Sequence, residues 1–151
     1  MRQEIRPGSW SESVAFVAPV GEIYDATAND SDKSWVVPGN EMWRLNFAYV
    51  LLAATTAVGS RLVTIRVKDA SGNTIAEVVS GVGQVATTTR TYMFMQGIFR
   101  ETAFTNDAAL VAIPDGLWLK PGYTLQVLDK AAIDVAADDM TVAVQYEKYT
   151  V

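Results

Sequence analysis

The sequence predicts an all-β chain, a jelly-roll β-sandwich of about eight strands with an extended N-terminal arm. Three observations lead there. Apolar and polar residues alternate with a period of two over several short stretches, the mark of half-buried strands. Turn signals built on Pro-Gly, Asp-Gly and Ser-Gly-Asn recur roughly every eight to twelve residues. No stretch carries a convincing long helical period. Long early strands, with a further strand returning at the C-terminus, favour a jelly roll over an immunoglobulin-like sandwich, whose Cys…Trp…Cys spacing is absent.

Residues 1–12 (MRQEIRPGSWSE) are polar, interrupted by Pro7 and Gly8, and read as an arm outside the sandwich, with 13–151 as the β domain. They carry a lone Trp10. The stretch reads either as a frayed terminus or as an arm that docks on a neighbouring subunit; an indole is costly to leave in water, so Trp10 is expected to be buried. Residues 13–20 (SVAFVAPV) form a short apolar strand that Pro19 bends or confines to an edge. A second short strand covers 21–28. The polar loop that follows places Asp25, Asn29, Asp30 and Asp32 near one another, as a calcium loop would. It lacks the spacing, the glycine and the distal glutamate of an EF-hand, so a solvated turn is expected. Residues 34–37 (SWVV) then deliver the chain to a Pro38-Gly39 turn.

The stretch 38–75 is the predicted nucleus. Trp43, Leu45, Phe47, Tyr49 and Leu51 alternate with Arg44, Asn46, Ala48 and Val50, so one set is expected to line the core. After a break at 55–60, residues 62–67 give the next strand, and the turn at 69–73 leads into Thr74 and Ile75. This reads as two hairpins in succession. Residues 84–95 (QVATTTRTYMFM) read as a strand with a Thr-rich exposed face, without the repeat that an ice-binding or sugar-binding ladder would need. Residues 110–113 and 117–119 flank the turn Pro114, Asp115, Gly116. A second Pro-Gly turn at 121 and 122 opens the strand 123–129. Residues 129–140 then hold Asp129, Asp134, Asp138 and Asp139. These could serve calcium or a glycosidase carboxylate pair. Asx turns and caps on backbone amides are the expected role, with a helical turn allowed by the Ala-rich spacing. The strand 140–150 closes a sheet, with Val142, Val144 and Tyr146 sharing a face.

Composition narrows the function. The net charge is −5, with 12 basic residues scattered among 17 acidic ones, which argues against a nucleic-acid surface. No run of 18 apolar residues predicts a membrane helix. No apolar segment follows the first charges as in a secretory signal. The sequence has neither cysteine nor histidine, which removes disulfides, thiolate nucleophiles, Ser-His-Asp arrangements and ordinary zinc sites. The expectation is a chain that is not an enzyme and holds no cofactor or metal.

The elements VPGNEMW at 37–43, Gly59-Ser60-Arg61, Pro121-Gly122-Tyr123-Thr124-Leu125 and the loop from Ile133 and Asp134 to Met140 occur in an order and spacing that resembles a type of small jelly-roll structural protein of tailed-bacteriophage virions. The resemblance spans about residues 35–149, and in the first element Gly follows Pro directly, a shift in detail. It implies a capsid decoration (cement) protein, made in the host cytoplasm and seated on the outer surface of the head. Such a protein would typically be a homotrimer bound to the major capsid protein. The contact candidates are Arg2, Glu4, Arg6, Trp10 and Trp35, with Trp118, Tyr146 and Tyr149 as further aromatics; core filling is the stronger expectation for Trp118 and Tyr146. The alternative is a tail-associated receptor- or carbohydrate-binding module, since jelly rolls also serve lectins.

Overall fold

The structure is a computed structural model that describes residues 19–98 and 107–151. The arm with Arg2, Glu4, Arg6 and Trp10, and most of the predicted strand 13–20, lie outside the described residues. Ten strands follow: β1 (Val20–Asp25), β2 (Asp32–Val36), β3 (Glu41–Ala53), β4 (Val63–Lys68), β5 (Thr74–Val79), β6 (Thr89–Met95), β7 (Ala108–Ala112), β8 (Trp118–Leu119), β9 (Thr124–Asp129) and β10 (Asp139–Thr150).

They form two sheets. One runs β1-β10-β3-β6-β7, with β8 also paired to β3; the other runs β2-β9-β4-β5. Setting β7 and β8 aside, the remaining eight strands alternate between the sheets except at the β4–β5 hairpin, and the last two return to insert between β2 and β4 and between β1 and β3. That is jelly-roll connectivity, and the fold predicted from sequence is the fold observed. β7 and β8 are additions in the connection between β6 and β9. The former extends the first sheet in parallel with β6, and the latter occupies the lane beside β3 that β6 has left.

The core between the sheets is aliphatic and aromatic. Leu45, Ala48, Val50, Leu52, Tyr92, Phe94, Val142 and Val144 come from one sheet, and Val63, Ile65, Val67, Leu125 and Val127 from the other, all essentially inaccessible. Trp43 and Tyr146 stack with ring centroids 4.2 Å apart. The Tyr146 ring lies so close to the backbone of Gly21 that a Cβ there would meet it at 2.4 Å, so only glycine fits at that point of β1.

Two local expectations change. First, 43–51 and 62–67 do not form a hairpin, because β3 and β4 belong to different sheets and the chain between them crosses the end of the sandwich. Only β4 and β5 pair as a hairpin, closed by Asp69 accepting from the amides of Ser71 and Asn73 at 2.9 Å each. Second, β6 begins at Thr89 rather than 84. Gln84 is buried and donates to the carbonyls of Leu52 and Thr88 at 2.8 Å, and Thr87 takes a left-handed φ of 60°, so the chain turns there instead of running straight. Between β9 and β10, residues 130–138 are turns and bends, the reading expected of this Asp-rich loop, as its hydrogen bonds below explain.

Candidate functional site

The phase of β3 decides what the molecule presents to its surroundings. Tyr146 pairs with Leu45 and Gln145 with Phe47, leaving Asn46 without a counterpart on β10. This β-bulge shifts the side-chain alternation by one residue. Before it, Trp43 and Leu45 point inward as predicted. After it the inward set is Ala48, Val50 and Leu52, each 0% exposed. Phe47, Tyr49 and Leu51, expected on the core face, point outward instead.

Their cross-strand neighbours extend the same surface. One row reads Tyr24, Ala143, Tyr49, Met93, Leu110 across five strands, and the next reads Glu22, Gln145, Phe47, Met95, Ala112. Tyr24 is 74% exposed and Tyr49 37%. Glu22, Tyr24, Phe47, Ala143 and Gln145 border a shallow depression of about 460 Å³. The outer face of the other sheet is different in kind. Its central row is Ser34, Gln126, Arg66, Glu77, and the Glu77 carboxylate holds Arg66 at 2.8 Å and also pairs with Lys130. Those two cations hold the Glu77 carboxyl below its ordinary pKa, the Lys130 hydrogen bond first. One face of the sandwich is built for water; the other is not.

The apolar face ends in an aromatic and charged cluster. Arg44 donates to Asp115 at 2.7 Å, lies 3.4 Å from Glu147 and sits 6.0 Å from the Trp118 ring centroid. Trp118 in turn lies 5.2 Å from the Tyr149 ring, whose hydroxyl donates to Glu147 at 2.7 Å. Trp118 is 39% exposed, against the expectation that it fills the core, whereas Tyr146 does fill it. Beside Asp115 a second groove of about 550 Å³ is bordered by Gln96, Ile98 and Ile113. Trp35 is half-buried and packs against the core from β2.

Both acidic loops meet at the opposite end of the sandwich, joined by a bridge between Asp30 and Asp139. Each is organised by a cation from the chain itself. The fully buried Lys33 ammonium donates to Thr27 O at 2.9 Å, Asp25 Oδ1 at 3.2 Å and Asp30 Oδ2 at 3.3 Å. The fully buried Arg61 guanidinium grips Asp138 through Nε (2.8 Å) and Nη2 (3.1 Å), and donates to Ala57 O at 2.9 Å. Burial alone would raise the Asp138 carboxyl's pKa, but the Arg61 bonds and the Thr55 amide outweigh it and hold it low. The Thr27 amide, followed by Lys33, does the same for Asp25. Asp129 accepts from the amides of Leu62, Ala131 and Ile133 at 2.8–3.0 Å, the capping role expected of it. The two internal cations were not recognised from sequence.

No protein-family model and no curated protein sequence matches this chain. Among solved structures, a chain from the structure of the infectious bursal disease virus Gx strain overlaps weakly, with a TM-score of 0.30 and 7% identity over 87% of this chain. This chain spans 42% of that one's length, and at that score the overlap carries no argument.

Proposed function

We propose that this chain is a structural virion protein of a tailed bacteriophage, a capsid decoration (cement) protein that binds the outside of the head and stabilises the shell. It would act as a homotrimer on the major capsid protein, without catalysis, cofactor, nucleic acid or membrane. The observation that carries the reading is the outward apolar face of the six-stranded sheet, on a rigid jelly roll whose other face is polar. Such a surface suits permanent protein contact rather than chemistry on a small molecule. The sequence resemblance supplies the location on the head.

A second reading is favoured by the Arg44, Asp115, Trp118, Tyr149 cluster. Exposed rings beside hydrogen-bonding side chains also suit a sugar, as in a tail-borne receptor-binding module. Copy number per particle separates the two. Quantitative mass spectrometry of purified virions should find hundreds of copies at a fixed ratio to the shell subunit. A handful of copies would move the protein to the tail and put the receptor-binding reading first.

A further inference from the structure

We propose that the outer face of the six-stranded sheet is the surface through which one copy of this chain meets a second copy. This deepens the self-association contained in the reading above, and it does not depend on where the protein resides.

Size is the first argument. Nine residue steps separate Met42 from Leu51 on β3; β10 runs beside that whole length, β1 flanks β10 opposite residues 44–50, and β8 and then β6 flank β3 at 43–44 and from 47 onward. At about 3.3 Å per residue and about 4.8 Å between strands, the face spans roughly 30 by 20 Å, or about 600 Å². Stable interfaces bury about 800 Å² per partner, and monomers rarely leave contiguous apolar patches beyond a few hundred Å² uncovered. At about 600 Å² the face reaches the lower end of what a stable interface buries per partner, about 600–1,000 Å². No strand among the described residues lies over it.

Composition agrees. The two central rows present Tyr24, Tyr49, Phe47, Met93 and Met95 and no lysine, with Glu22 and Gln145 toward the β1 edge and Trp118 and Arg44 at one end. Aromatic residues, methionine and arginine are the types enriched where proteins meet, and lysine is depleted there. Around a three-fold axis the face of one copy would meet a different surface of the next, so the contact is heterologous rather than sheet on identical sheet.

Sedimentation velocity of the purified full chain at tens of micromolar tests the proposal, comparing wild type with Tyr49→Glu and Tyr24→Glu. Wild type should sediment as an assembly, and both variants as monomers with the wild-type circular dichroism spectrum and Tm. A monomeric wild type, or variants that assemble as wild type does, would overturn it. Should a glutamate variant fail to fold, the absence of native cysteine allows a second measurement. In Tyr24→Cys the thiol should react more slowly with a bulky maleimide at high protein concentration than at low, while Ser34→Cys on the polar sheet reacts equally at both. Equal rates for Tyr24→Cys would overturn the proposal, as would protection that develops only on purified phage heads, which would make this face the shell contact. A low copy number in virions would sink the decoration reading and leave the sedimentation result standing.

Discussion

At the scale of single residues, Lys33 and Arg61 give two loops with the composition of calcium sites an internal countercharge. Their carboxylates were legible in the sequence; the cations at their centres were not. Arg61 and Asp138 are separated by 77 residues, and nothing local announces that one neutralises the other. The two pairs should differ in cost when broken. Arg61→Leu strands a fully buried carboxylate and should destabilise by about 3–5 kcal/mol. Lys33→Met leaves Asp25 and Asp30 partly in water, free to rehydrate, and should cost about 1–3 kcal/mol. Urea denaturation of both variants checks the order, and an equal loss would contradict the contrast in exposure. The carboxyls of Asp25, Asp138 and Glu77 all lie below their ordinary pKa when folded. Their contribution is therefore complete above the unfolded pKa of about 4 and is lost as pH falls through the depressed folded values. Tm should hold steady from neutral pH down to about 5 and fall below about 4. In Arg61→Leu that acid-side fall should be shallower, because Asp138 loses the partner that keeps its folded pKa low. Gly21→Ala drives a methyl group into the Tyr146 ring and should cost about 1–3 kcal/mol, measurable in the same assay.

At the scale of elements, most strands were readable because alternation and turn chemistry are local signals. Residues 123–129 and 140–150 fall close to β9 and β10, and the turn at 69–73 closes the hairpin it was expected to close. What local reading missed is the bulge at Asn46. Phe47, Tyr49 and Leu51 are as apolar as Ala48, Val50 and Leu52, so β3 beyond the bulge is hydrophobic on both sides and its phase is ambiguous in the sequence. The partner strand resolves it, through the extra residue opposite β10. Deleting Asn46 should be far worse than substituting it. The deletion would turn Phe47, Tyr49 and Leu51 toward a core packed for smaller side chains, and Ala48, Val50 and Leu52 toward the surface. The expected outcome is a chain without a cooperative thermal transition, whereas Asn46→Ala should retain one. A cooperative, near-wild-type melt of the deletion would show that the strand tolerates either phase. The candidate surface escaped sequence reading for the same reason, since it consists of side chains that the uninterrupted alternation had assigned to the interior.

At the scale of the whole molecule, the jelly-roll expectation was met because its signals are distributed: many short strands, no long helix, and a strand returning at the end of the chain. Of the expected contact residues, Arg2, Glu4, Arg6 and Trp10 lie outside the described residues. Removing residues 1–12 should leave the thermal transition of the β domain in place and weaken retention on purified heads in a co-sedimentation assay. Full retention would make the arm dispensable. The position of β10 has a consequence of a different kind. It lies between β1 and β3, pairing with both along most of its length, so the larger sheet cannot close before residues 139–150 exist. Such non-local pairing folds slowly, because the loop between partners must close before any contact rewards it. On the ribosome, β1 to β9 must wait in the open, with the tyrosines and methionines of the outer face exposed alongside the future core, until the last strand emerges. Nascent chains stalled before residue 139 should be cleaved readily by protease, and chains released after 150 should resist it. The tyrosines and methionines of the outer face therefore gain their sheet only once β10 has emerged, and the growing chain would profit from a holdase until then.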